Sequence, residues 1–175
     1  MNHARRILLA LRRPAIAAGF GALLSLAYAP AGRGWVVWLW MIPLLAVIWT
    51  TSGKRPGWKG FGLGWTAGVA FFLCNLSWLA TVSWIAQVVL AGFMACYFGL
   101  WGAFAATAGN PWRPRDDGGP ISNHSGRAWL ASFACAAVWC GTEWLRGNLF
   151  GGFGWNGLGV ALHGNLLISQ AADIA

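Results

Sequence analysis

Five apolar stretches, each near the length of a membrane-crossing helix, leave this chain few ways to fold. They fall at roughly 14–31, 34–51, 60–80, 83–108 and 128–150, and about 20 apolar residues suffice to cross the hydrocarbon core of a bilayer. In lipid every backbone N–H and C=O has to be bonded internally, so the expected fold class is an all-α integral membrane protein, a polytopic bundle of about five transmembrane helices. Composition agrees. Hydrophobic residues make up 58% of the chain and charged residues 9%, with 14 Trp, whereas a soluble domain carries about 25% charged residues. That excludes an ordinary cytosolic protein. The formal charge of +8 does not point to nucleic acid, because the bases lie between the apolar stretches, as topology signals do, and form no basic face.

The first two stretches are short. Pro14 suits a first helical turn, Pro30 ends the first stretch, and Pro43 predicts a kink in the second. The two are expected to form a hairpin turning at Ala31-Gly32-Arg33-Gly34. Arg5, Arg6, Arg12 and Arg13 followed by Ala27-Tyr28-Ala29 imitate a secretion signal with its cleavage site. Pro30 directly after the cut and the apolar run behind it favour an uncleaved first span.

Lys and Arg then set an orientation. The N-terminal arm has four Arg, the connection at 52–59 has Lys54, Arg55 and Lys59, and that at 109–127 has Arg113, Arg115 and Arg127, while the turns near 33 and 81 offer only Arg33. The expectation is a multi-pass membrane protein with a cytoplasmic N-terminus and the end of the fifth span on the outer side. Asp116, Asp117, Gly118, Gly119 and Pro120 read as a polar turn-rich loop, flanked by Trp112 and Trp129 as interfacial anchors. Gly60, Gly64 and Gly68 fall four apart, as do Ala91, Ala95, Gly99 and Ala103 on the next span. Such stripes of small residues let helix backbones approach closely.

Chemistry concentrates late in the chain, in Glu143-Trp144-Leu145-Arg146-Gly147-Asn148-Leu149-Phe150 followed by Gly151-Gly152-Phe153-Gly154-Trp155-Asn156. An ionisable side chain at membrane depth costs about 3 kcal/mol or more, which marks it as a candidate functional residue with a partner to be named. Glu143 and Arg146, three apart, share a helix face. Two readings stay open: an ion pair that closes the bundle, or a contact to a lipid headgroup or a partner domain. The glycines between Gly151 and Gly164 argue against a long helix there. A broken segment at the outer surface is expected, with Trp155 in the interfacial aromatic belt.

Other chemistries are excluded by pattern. Cys74, Cys96, Cys135 and Cys140 form no C-x-x-C and sit within apolar stretches as small hydrophobes, so no disulfide, metal site or nucleophile is expected. His3, His124 and His163 are too scattered for a metal centre. The chain has no G-x-S-x-G, Walker loop or H-E-x-x-H, and no G-x-G-x-x-G behind a strand. No cofactor is expected.

Phe71-Phe72-Leu73-Cys74-Asn75-Leu76-Ser77-Trp78, and above all Glu143-Trp144-Leu145-Arg146-Gly147 with Gly152-Phe153-Gly154-Trp155-Asn156-Gly157-Leu158-Gly159, resemble the N-terminal membrane region of the bacterial apolipoprotein N-acyltransferases. The resemblance covers the whole chain and implies one N-terminal transmembrane domain over 1–175, with 151–175 as an outer loop and the start of a further span. It implies transfer of an acyl group from a phospholipid to the diacylglyceryl-modified N-terminal cysteine of a lipoprotein. In that family the Glu, Lys and Cys of catalysis lie in a nitrilase-like domain, and no position here inherits them. A separate nitrilase-like chain then becomes a partner, and Glu143, Trp144, Arg146, Phe153, Trp155 and Asn156 become candidates for substrate or domain contact.

The competing class is a non-enzymatic scaffold or small transporter subunit, in which the Glu143/Arg146 couple gates a cavity. Transporters show internal repeats and polar residues at mid-membrane more often than this chain does. Lys54 and Lys59 are expected about a bilayer away from Glu143, too far for a substitute catalytic constellation that needs contacts of about 3 Å. Residues 1–175 alone are therefore expected to be inactive. Incubating them with phospholipid and a diacylglyceryl peptide, and assaying N-acylation, checks this.

Overall fold

The computed structural model describes residues 3–51, 53–113 and 124–171, and among these every regular element is helical. The elements are α1 (His3–Ser25), α2 (Val36–Leu39), α3 (Met41–Trp49), α4 (Pro56–Asn75), α5 (Trp84–Ala106), α6 (His124–Asn148), α7 (Leu158–Ala161) and α8 (Leu166–Ala171). Single 3-10 turns at Ser77–Thr81 and Leu149–Gly151 follow α4 and α6.

Helix boundaries depart from the apolar stretches in ways that local chemistry explains. The first helix does not start at Pro14. It runs through Pro14 from His3 and stops at Ser25, before Pro30. Good helix formers such as Leu8, Leu9, Leu11 and the arginines carry it backwards past the apolar boundary. The hairpin turn is correspondingly wider than Ala31–Gly34, since Arg33 N–H already donates to Leu26 C=O at 2.8 Å and Gly32 N–H to Tyr28 C=O at 2.9 Å. Pro43 interrupts the second stretch three residues upstream of itself. Its ring crowds the carbonyl four residues back, at Leu39, and the helix is broken between Leu39 and Met41. Trp40 between them keeps helical dihedrals. Pro56 at the first position of α4 starts that helix early, so Lys59 lies in its first turn and not in a connection. Ser83 caps α5 by accepting from Ala86 N–H at 3.3 Å. The sixth helix begins at His124, ahead of the expected 128. The Asp116–Pro120 loop lies outside the described residues.

The most extensive packing joins α4 and α5, with α1 on the other side of α4. Here glycine is required by space: a Cβ on Gly60 would overlap the Gly102 carbonyl, one on Gly64 the Phe98 carbonyl, and one on Gly68 would stand 2.9 Å from Ala95 Cα. The α4 stripe is the one legible in the sequence. The α5 partners, however, are Ala95, Phe98, Gly102 and Ala106, whereas Gly99 receives the Phe61 ring. What meets Gly64 at Phe98 is the backbone carbonyl, which a count of small side chains cannot anticipate. Gly21 of α1 approaches the Ala67 carbonyl of α4 equally closely.

Above this contact lies an aromatic core. Phe98 stacks with Phe71 at 5.6 Å and meets Trp139 edge-on at 4.7 Å, and Trp139 also meets Trp40 at 5.2 Å and Trp101 at 5.3 Å. Trp101 donates its indole N–H to Cys135 C=O at 2.9 Å, tying α5 to α6. Each such ring pair contributes about 0.5–1.5 kcal/mol beyond its burial.

The bundle has two unlike ends. At one, Arg13 reaches Thr50 C=O at 3.0 Å, Asn110 reaches Trp49 C=O at 3.0 Å, and Arg127 reaches Arg113 C=O at 3.1 Å, so the basic connections are gathered together. At the other lie the turn after α1, the turn after α4 and the segment after α6. Replacing Gly64 by Ala is expected to force α4 and α5 apart and lower stability by about 1–3 kcal/mol, the usual cost of overpacking. Gly62→Ala, where a Cβ meets nothing within 4 Å, is expected to add up to about 1 kcal/mol by removing a helix-interior glycine. Thermal unfolding of the two variants side by side checks both signs.

Candidate functional site

Glu143 and Arg146 face inward from the last turns of α6, at the end of the bundle opposite the basic connections. Arg146 is 4% exposed, and a buried guanidinium is tolerated only when its donors are used. Its Nη1 donates to Phe153 C=O at 3.1 Å and to Trp155 C=O at 2.6 Å. The Arg146 carbonyl in turn accepts from Phe153 N–H at 2.8 Å, and its Cζ lies 5.7 Å from the centroid of the Phe72 ring, within cation–π range. Half-buried Glu143 accepts from Leu158 N–H at 2.9 Å. It thereby satisfies a free amide at the start of α7, where Gly157 has no side chain to do so.

These contacts match neither sequence-level reading of the acid and base directly. Glu143 and Arg146 do not form the direct ion pair that their spacing suggests: both take their hydrogen bonds from the segment that folds back after α6. Helix periodicity shows which residues share a face. It does not show what that face will meet.

The segment from Leu149 to Gly157 has the backbone of a tight loop. Phe150, Gly151, Gly152 and Asn156 all have positive φ, at 53°, 85°, 71° and 55°. At Gly152 a Cβ would overlap the Gly147 carbonyl, so only glycine fits. Asn156, a residue type that tolerates this conformation, donates from Nδ2 to Asn75 Oδ1 at the end of α4. Trp155 is half-exposed and packs at 6.3 Å on Trp78 from the 3-10 turn after α4. Phe150 is 85% exposed yet touches Phe93 of α5 at 5.8 Å. The loop is thus tied to α4 and α6 from below and shows aromatic rings above.

Beneath it lies a small cavity with room for the centre of about one water molecule, about 10 Å³, lined by Tyr28, Tyr97, Thr142, Glu143, Arg146 and Asn156 among apolar neighbours. Of the candidates drawn from the sequence, Glu143, Arg146, Phe153, Trp155 and Asn156 come together here, with Phe153 packed against the core. Trp144 does not join them and stands 67% exposed on the outer face of α6. His163 is exposed and contacts only Val160 C=O nearby. Tyr28, Tyr97 and Asn75 were not anticipated. One signal was available, since the chain has 2 Tyr and both line this cavity.

No cysteine or lysine lines the cavity, and Thr142 spends its hydroxyl on Trp139 C=O at 2.8 Å. The described polar contacts of Glu143, Arg146 and Asn156 hold the loop. Among the described residues no cluster of His, Cys, Asp and Glu is suited to a metal ion.

Residues 20–175 match the sequence model of the family described as the apolipoprotein N-acyltransferase N-terminal domain. The chain is similar to the apolipoprotein N-acyltransferase of Rhodopseudomonas palustris, with 30% identity over 177 residues, covering 93% of this chain and 30% of that protein. With the Vibrio parahaemolyticus protein of the same name it shares 31% over 154 residues, 86% of this chain and 28% of the relative. The Geobacter metallireducens relative is 29% identical, over 88% of this chain and 28% of its own length. The chain therefore spans less than a third of the curated relatives it matches. Arg146→Ala is expected to remove both carbonyl contacts and cost about 1.5–3 kcal/mol per lost charged hydrogen bond. It should also speed hydrogen exchange at the Phe153 and Leu158 amides by at least tenfold, and exchange followed by mass spectrometry over 151–158 checks this.

Proposed function

Since the chain belongs to the apolipoprotein N-acyltransferase family through its N-terminal domain, we propose that it is the membrane-embedded part of an enzyme that N-acylates lipoproteins. The acyl group passes from a phospholipid to the α-amino group of a diacylglyceryl-cysteine, and the covalent chemistry belongs to a nitrilase-like part. The present domain supplies the platform in the bacterial inner membrane on which lipid and lipoprotein meet that part.

One observation carries the membrane reading: large apolar side chains face outward around the whole bundle. Trp38 and Ile42 on the second hairpin arm, Trp58 on α4, Val88 and Val89 on α5, and Trp129, Leu130 and Phe133 on α6 are all more than half exposed. A water-soluble monomer rarely shows so continuous an apolar surface. The helix Trp84–Ala106 is by itself long and apolar enough to cross a bilayer. The other long helices reach similar lengths with glycines and terminal charges that lower their average hydropathy, and α4, with 20 residues, measures about 30 Å, the thickness of the hydrocarbon core. The placement of Arg13, Arg113 and Arg127 at one end supports a reading with five crossings and a cytoplasmic N-terminus.

The aromatic loop then stands at the periplasmic surface. Glu143, Arg146 and Asn156 hold it, while Trp155, with Trp78 and Phe150, offers the surface that meets acyl chains or the catalytic part. Single cysteines at Trp155 and Lys54 should react with a membrane-impermeant maleimide from opposite sides of intact spheroplasts. Labelling of both from one side refutes the arrangement. In the intact enzyme, Arg146→Ala is expected to reduce N-acylation at least tenfold, with Glu143→Gln weaker. Wild-type rates for both would reduce the couple to a purely architectural role.

A further inference from the structure

We propose that the cavity between Tyr28, Glu143 and Arg146 is a binding site for a single water molecule, which bridges phenol, carboxylate and guanidinium and makes a solvent-linked pair of the acid and base of α6. Three observations converge on it. Tyr28 is 5% exposed, and its hydroxyl has no hydrogen-bond partner among the described residues. A buried polar atom of this kind is ordinarily bonded to protein or to ordered water.

The neighbouring charges have matching capacity left over. Glu143 uses Oε1 on Leu158 N–H, and none of the described hydrogen bonds engages Oε2. Arg146 gives both of its bonds from Nη1, which leaves Nη2 and Nε without a described acceptor. A buried water typically makes about three hydrogen bonds. Here it accepts from the Tyr28 hydroxyl and from an Arg146 N–H, and donates to Glu143 Oε2, which gives the phenol its partner and each charged group one further bond.

Size settles the ligand class. The cavity has about 10 Å³ for the centre of a water-sized sphere, close to the minimum of about 10–15 Å³ that one water needs. A headgroup or an acyl chain does not fit. Leu24, Phe71 and Phe98 are apolar walls, while Tyr97, Thr142, Asn156 and Trp139, whose indole N–H is also without a partner among the described residues, line the cavity beside them. The loop engages the two groups separately: Phe153 and Trp155 take the guanidinium, Leu158 takes the carboxylate, and none of the described hydrogen bonds joins the two.

The test is an experimental structure of the intact protein in lipid nanodiscs at a resolution that shows ordered water. The expected result is one water within about 3.2 Å of Tyr28 Oη and of Glu143 or Arg146. A dry cavity, or a Tyr28 hydroxyl bonded directly to Glu143 or Thr142, overturns the proposal. Tyr28→Phe provides an independent sign, because the ring keeps its packing against Phe71 at 5.6 Å. With a bridging water, loss of the phenol strands the water and lowers the thermal midpoint by several degrees. An unbridged hydroxyl is an unpaid desolvation, so its removal would leave the midpoint unchanged or raise it, and either outcome refutes the site.

Discussion

The contact of α4 with α5 through bare backbone is the constraint on which the rest of this molecule depends. Gly60 and Gly102 lie so close that neither could carry a methyl group, and Gly64 rests on the Phe98 carbonyl. Close backbone approach multiplies the dispersion contacts between the two helices and holds them together. That approach also sets the height of the aromatic rings further along the same helices. Phe71, Phe72 and Phe98 meet one another there, and Phe72 becomes the floor beneath Arg146. A fault in the glycine contact would travel through those rings to the guanidinium.

From Arg146 the dependence passes to the loop. A segment with four consecutive or near-consecutive left-handed residues has little reason to keep one shape by itself. Two of its carbonyls converge on one guanidinium, one amide further along is taken by Glu143, and Asn156 reaches α4. Charge that would be costly inside the bundle is used to order backbone at its edge. Trp155 and Phe150 are thereby shown from a fixed base.

Much of this was legible in the residues, and the misses share a cause. Apolar length and period placed helices in all five stretches, and the all-helical class holds among the described residues. Helix ends moved where local capping or propensity outran the apolar boundary, as at His3 and Pro56. The glycine stripe of α4 was visible because glycine four apart means one thing on a helix. Its partner surface was misjudged because at Gly64 a large residue, Phe98, offers its carbonyl where a small side chain is the usual signal. Trp40, Trp101 and Trp139 could not be told from the exposed tryptophans, since an apolar helix carries no polar stripe to say which face is inside. Glu143 and Arg146 stood out at once. Their true partners did not, because these come from a loop whose return path is encoded only in the positive φ of Phe150, Gly151, Gly152 and Asn156.

Gly34, in the turn that opens the bundle, lies against the Ala161 carbonyl in the segment that closes it, and Tyr28 lines the same cavity as Leu158. The two halves of this end are thus made at opposite times in synthesis. The first hairpin leaves the ribosome with an unfilled seat, which α6 and the chain that returns behind it fill. A contact of such sequence separation closes late, and this end of the bundle is expected to order after the helices that lie between its two edges.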